Sequence, residues 1–231
     1  MGRIIIIFSI LFTWFDPLNA QGPNPYAVID SLRSGLEKIQ DYQADMEIEV
    51  DVDFIKMPVK HATIYFKQPD KFKFKSDEFF MLPRRGFNNS FQKIIKEEYN
   101  ALYTGEEIIN GRRQYVIKII PLSKKPDIIL ATWWIDEERY LVSRAESNTR
   151  NDGTFLIDFI YHDPAINLPA EMKITFEIEK MKLPLIFMGK KEGVEFEKNQ
   201  TKGKREGVVY IRFSNYLINQ NPDIDFEEND Q

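Results

Sequence analysis

The chain has 231 residues, a formal net charge of -5 and no cysteine, with 43% hydrophobic, 13% aromatic and 29% charged residues. Interspersed acids and bases exclude the concentrated basic face that nucleic acid needs, and the lack of cysteine excludes disulfides, thiol nucleophiles and cysteine-based metal sites. The hydrophobic content is enough for a sizeable core, and no Gly/Ser/Pro-rich linker divides the chain.

Arg3 precedes the apolar run Ile4 to Phe15, which Asp16 and Pro17 break before Leu18-Asn19-Ala20. The run is too short to span a bilayer and reads as a signal peptide over 1–20. The expectation is one exported domain over 21–231, placed in a bacterial periplasm because a secreted eukaryotic domain more often carries cysteines. From Ala27 to Asp41, Val28, Leu32, Leu36 and Ile39 recur at helical spacing and predict one amphipathic helix. From Tyr42 to Phe54 apolar residues alternate with Asp45, Glu47, Glu49, Asp51 and Asp53, which predicts a long strand with one oily and one acidic face. Ala62, Ile64 and Phe66 alternate after the turn at Met57-Pro58. Phe72 and Phe74 do so after Pro69-Asp70, so three successive strands share a greasy face.

Glu78 to Leu82 predicts a short strand ended by Pro83. Ser90 is then a candidate N-cap for a short helix carrying Phe91, Ile94, Ile95 and Tyr99, either a lid or an ordinary surface helix. Leu102 to Ile108 and Tyr115 to Ile120 flank Asn110-Gly111, a strong hairpin signal. Strands are further predicted over Ile128 to Ile135, Tyr140 to Thr149, Thr154 to Tyr161, Met172 to Ile178 and Val208 to Tyr216. The apolar segment Met181 to Gly189 does not alternate, and Lys190 to Gly207 reads as a charged loop. About eleven strands without βαβ rhythm predict a mainly β fold. Its large antiparallel sheet is curled into a barrel or half-barrel, with a β-sandwich as the alternative.

No catalytic constellation assembles. His61 and His162 lack partners at metal-ligand spacing, and the acidic row on the first strand suits a solvated outer face paired with lysines. The chain therefore reads as non-enzymatic and without a cofactor. An excess of large apolar side chains points to one face: Met46, Ile48, Val50, Ile64, Phe66, Phe72, Phe74, Tyr115, Ile117, Phe155, Phe159, Met172, Ile174 and Phe176. This face is either a closed core or a cavity for acyl chains, roofed by the segments that carry Phe91, Ile94 and Ile95 and Leu185, Ile186 and Phe187.

The succession of features resembles the LolA-type periplasmic lipoprotein carriers, or outer-membrane lipoprotein-sorting proteins. The likeness rests on Ala62 to Phe74 (ATIYFKQPDKFKF), Trp134-Ile135-Asp136, Gly153, and Phe213-Ser214-Asn215-Tyr216 with Asn219, over most of Tyr26 to Phe226. The resemblance implies an unclosed antiparallel barrel with an oily concave side and a short helical lid. It implies a monomeric carrier that takes acylated lipoprotein or lipid cargo from an inner-membrane donor transporter toward an outer-membrane acceptor. A related possibility is an RseB-like envelope sensor that recognises lipoproteins or unfolded envelope proteins. Gln68 stands where well-known carriers have an arginine that helps hold the lid shut, so the same charge-assisted lock cannot form here. The Asp-Gly hairpin usual after the third strand is replaced by Pro83 to Tyr99.

Overall fold

The computed structural model describes residues 22–52, 55–76, 80–83, 94, 97–124, 126–150, 153–178, 185–188, 195–196 and 205–226. They form one helix, α1 (Pro25–Glu37), and fourteen strands: β1 (Asp41–Asp51), β2 (Ile55–Lys56), β3 (Lys60–Lys67), β4 (Lys71–Lys75), β5 (Phe80–Pro83), β6 (Tyr99–Ile109), β7 (Arg112–Pro121), β8 (Ile128–Asp136), β9 (Val142–Thr149), β10 (Thr154–Ile160), β11 (Glu171–Ile178), β12 (Leu185–Met188), β13 (Glu195–Phe196) and β14 (Arg205–Ile218). The signal-peptide reading of 1–20, Phe91 and Ile95 lie outside the described residues.

Ten strands make one antiparallel sheet in the order β4-β3-β1-β14-β11-β10-β9-β8-β7-β6. The last strand slots between β1 and β11, joining the N-terminal meander to the C-terminal one. β4 and β6 are left as the two edges, so the sheet curls without closing into a barrel. The fold is mainly β, as the sequence predicts, and the sandwich alternative falls because one continuous sheet runs through all ten strands. β1, β4 and β11 leave this sheet at the same end as the start of β14, here called the mouth. Beyond the mouth the chain pairs again in two short ladders, β2 with β13 and β5 with β12. The unpatterned apolar segment therefore contains a strand, and Pro83 lies within β5 rather than after it, opposite Leu185.

The helix begins two residues earlier and ends four residues earlier than its apolar spacing suggests. Asn24 caps it by accepting the Tyr26 N–H at 2.9 Å, and Pro25 occupies a first-turn position, where a missing N–H costs nothing. Its end is fixed from outside: Asp41 is already in β1, and side chains from the sheet hold the last carbonyls, as described below. Val28, Ile29 and Leu32 are buried against Ile117, Ile119, Ile128, Trp133, Ile135 and Val142, so α1 lies on the inner face of β7 to β9. Its first turn reaches the β6 edge, where the Tyr26 hydroxyl accepts the Ala101 N–H at 3.2 Å and its ring stacks on Tyr99.

Turn chemistry follows the sequence where glycine or asparagine dictates it. Asn110 and Gly111 both take positive φ, 50° and 76°, which matches the right-handed twist of the hairpin they close. The predicted strand start at Tyr140 fails: Tyr140 takes φ 52° in the turn, and β9 begins at Val142.

Candidate functional site

Cross-strand register shows how the inner face is built. Val50 faces Val209, which faces Ile174, then Ile157, Ala145, Trp133, Ile117 and Tyr103, an unbroken apolar row across eight strands. Ile64 with Phe74 and Phe66 with Phe72 extend the face to the β4 edge. Of the fourteen residues predicted for it, ten are buried: Met46, Ile48, Val50, Ile64, Phe66, Ile117, Phe155, Met172, Ile174 and Phe176. Phe72, Phe74, Tyr115 and Phe159 are half-buried.

Eleven of these residues fall into two packed clusters. Met46, Ile48, Val50, Phe155, Met172, Ile174 and Phe176 join Val52, Ile157, Val209 and Ile211 in the first, with Met57, Phe74 and Phe213 against it. Ile117 and Tyr115 belong to the second, under α1, together with Ile94 from the predicted lid helix; Phe159 touches both clusters. Leu185, Ile186 and Phe187 occupy β12, whose partner β5 lies against β1. The sequence reading omitted Ile157, Val209, Ile211, Ile119, Trp133 and Ile29, although simple alternation in β10 and β14 marks the first three.

Gly207 faces Phe176 across β14 and β11, and the Phe176 ring lies over it. A Cβ there would stand 2.7 Å from the Phe176 ring and 3.0 Å from a Val52 methyl, so the glycine supplies the space that ring needs.

The end of the sheet away from the mouth, the base, is closed by rings. Tyr42 stacks on Phe66 at 5.1 Å and meets Tyr216 edge-on at 5.8 Å, while Phe72 and Phe213 flank them. The Tyr216 hydroxyl donates to Pro169 O at 2.8 Å and the Tyr161 hydroxyl to Val142 O at 3.0 Å. Burial pushes the Tyr42, Tyr161 and Tyr216 hydroxyls well above the usual phenol range, so none of them ionises near neutral pH.

Gln68 sits at this base and locks the end of α1 with neutral hydrogen bonds. Its side-chain N–H groups donate to Glu37 O at 3.1 Å and Ile39 O at 2.8 Å, satisfying carbonyls at the end of α1. Gln68→Ala is expected to cost about 1 to 2 kcal/mol, and Gln68→Glu, which cannot donate, at least as much. Hydrogen exchange should localise the loosening to amides 36–40; unchanged protection there in both variants would refute the lock.

Asp136 ends β8 and gathers a second network. Its carboxylate accepts from Arg112 Nε and, at 3.1 Å, from Arg112 Nη2, and from the backbone N–H groups of Glu138 and Arg139 at 3.0 and 2.9 Å. Burial pushes its pKa up, but the Arg112 hydrogen bond and the two backbone donors outweigh this and hold it below the usual carboxylate range. A depressed folded pKa stabilises the protein above the unfolded carboxylate value, near 4, and that stability is lost as pH falls through the folded value. Urea midpoints between pH 6 and 3 should therefore fall more steeply for wild type than for Asp136→Asn; parallel curves would show that this carboxylate carries no such coupling.

Around β1, β3 and β14 the outer face carries a polar network. Arg212 on β14 bonds Glu47 at 2.7 Å and Glu49 at 3.0 Å and lies 3.4 Å from Glu171, so an arginine serves the acidic row that sequence paired with lysines. Asn215 donates to Asp45 at 2.7 Å, and His61 is exposed opposite Glu47. A groove of about 600 Å³ on this side is lined by Asp45, Glu47, His61, Thr63, Lys75 and Ser214 among others, which suits water rather than hydrocarbon.

No family model matches the sequence and no curated protein matches it. Solved structures do. A LolA superfamily protein from Nitrosomonas europaea superposes with a TM-score of 0.55 at 9% identity, over 87% of this chain and 96% of its own. The chain has the LolA-type fold. A domain described as an outer membrane lipoprotein-sorting protein from Vibrio parahaemolyticus gives 0.54 at 13% identity, covering 87% of this chain and 95% of that one. A DUF1329 family protein from Desulfovibrio piger gives 0.50 at 14% identity, with 87% and 96% covered. At such identities the LolA-type likeness is one of architecture: the half-open sheet and the helix on its inner side.

Proposed function

We propose that this protein is a non-enzymatic carrier that shelters the acyl chains of lipoproteins or related lipids on the inner face of its sheet. Export by the leader over 1–20 puts it in the periplasm. There it acts as a monomer between an inner-membrane donor and an outer-membrane acceptor. The observation that carries this reading is the unbroken apolar row from Val50 to Tyr103 on a sheet that does not close, so the face can be uncovered without breaking a barrel. The LolA-type fold supports it, as does the name of the Vibrio domain. Chemistry adds the need: at about 0.8 kcal/mol per buried CH₂, a long acyl chain does not cross water unaided.

The direct test is binding of a fluorescent palmitoylated peptide to delipidated full-length protein, with the unacylated peptide as control. Saturable binding of the acylated form alone is expected. Equal binding of both peptides, or of neither, would rule the carrier reading out.

A further inference from the structure

The outer face of the sheet changes character toward the β6 edge. There Leu102 on β6, Ile120 on β7, Leu122 just after it and Ile129 on β8 are 63%, 48%, 50% and 46% exposed. Ala101, Ile119 and Ala131 point into the cluster under α1, so their neighbours Leu102, Ile120 and Leu130 point out. Ile129 joins them because irregular pairing between Ile128 and Leu130 turns it outward beside Leu130. Register runs from Gly207 at the mouth through Phe176, Phe155 and Ser147 to Ala131, Ile119 and Ala101. The outward patch therefore lies at the mouth end of the sheet.

Its size and make-up say what it fits. The patch exposes roughly 400 Å², about half of the roughly 800 Å² per partner that a stable protein interface buries. The β6 edge does not enlarge it by strand pairing with a second copy. Its ladder is irregular between Tyr103 and Gly105, and the Ala101 N–H is already taken by the Tyr26 hydroxyl. No aromatic ring or arginine, the side chains that anchor protein partners, stands among these five residues. Aliphatic side chains with lysine at their margin suit a bilayer interface, where the lysine stem lies along the acyl boundary and its ammonium reaches the headgroups. Lys118, opposite Leu102, and Lys124 are exposed here. Glu98 and Asp127 stand nearby, so the charges balance and the aliphatic contact carries the attachment.

We propose that this patch is a membrane-docking surface: Leu102, Ile120, Leu122 and Ile129 enter the interface of a phospholipid bilayer and set the mouth against it. Attachment is reversible, since four side chains at the interface hold far less than a spanning helix. The inference rests on the carrier reading above only for the reason that the mouth must face a membrane.

The chain has no cysteine, so a single introduced one reports locally. Full-length protein with Leu122→Cys, labelled with an environment-sensitive NBD dye, is mixed with vesicles of phosphatidylethanolamine and phosphatidylglycerol. Leu217→Cys, at a side chain 43% exposed on β14 near the base, controls for attachment by any other part of the chain. A blue shift with quenching by spin-labelled lipid is expected at 122 and not at 217. Combining Ile120→Asp with Ile129→Asp should weaken vesicle binding, read by flotation, about tenfold at an unchanged urea midpoint. Binding of the palmitoylated peptide by that variant should match wild type. No shift at 122, or equal shifts at both positions, would overturn docking. So would a dimer in sedimentation that the double aspartate variant abolishes, which would assign the patch to a second copy. Failure of wild type to bind the palmitoylated peptide, with the shift at 122 intact, would sink the carrier reading and leave the docking surface standing.

Discussion

Trp133→Ala is expected to lower the unfolding free energy by about 3 to 5 kcal/mol, the usual cost of truncating a large buried ring. Trp133 is 1% exposed. It stands between Ile117 and Ala145 in the inner row, where the small alanine beside it leaves room for the indole. Val28, Ile29 and Leu32 of α1 pack into the same cluster, so the cavity would open where helix meets sheet and no single neighbour could fill it. Leu102→Ala, at a side chain 63% exposed on β6, should change stability by no more than about 0.5 kcal/mol. Urea denaturation of both variants at unchanged slope is the measurement. A loss below about 1 kcal/mol for Trp133→Ala would mean that α1 is not packed on that face.

The architecture was legible because its strands alternate cleanly. In β1 and β3 every second residue is apolar, and burial follows that parity from Ala44 to Val50 and from Ala62 to Phe66. Legibility ended where bulges change parity. Irregular pairing between Ile128 and Leu130 leaves Ile129 46% exposed and shifts the inward parity from Ile128 to Ala131, Trp133 and Ile135. The two tryptophans look equivalent in sequence, yet Trp133 faces the core while Trp134 lies beside Arg144, whose guanidinium sits 5.9 Å from its ring. Which strands α1 covers was illegible for another reason. The helical stripe of Val28, Leu32 and Leu36 says that α1 packs on a sheet but not on which strands, a choice made by contacts with Ala101, Gln68 and Asn219 far away in the chain.

Asn219→Ala is expected to cost about 3 kcal/mol despite the exposure of that residue, because one side chain joins the two ends of the described chain. Its Oδ1 accepts the Gln40 N–H at 2.7 Å, its Nδ2 donates to Lys38 O at 2.9 Å, and its backbone N–H donates to Asp41 O at 2.9 Å. Its φ of 55° also lies in the left-handed region, where alanine costs about 1 to 2 kcal/mol and asparagine or glycine little. The two side-chain bonds should contribute about 0.5 to 1.5 kcal/mol each. Asn219→Gly therefore recovers the backbone part and none of the bonding, and should fall midway between wild type and Asn219→Ala. The neighbouring carboxylate of Asp41 accepts the N–H groups of Gln220 and Asn221 at 2.9 Å each. Removing Asn219 should loosen that turn as well, visible as faster hydrogen exchange at Gln220 and Asn221. Equal losses for the glycine and alanine variants would refute the backbone share. A loss under about 1 kcal/mol for alanine would refute the clasp, and with it the claim that α1 is held at the base from both β3 and β14.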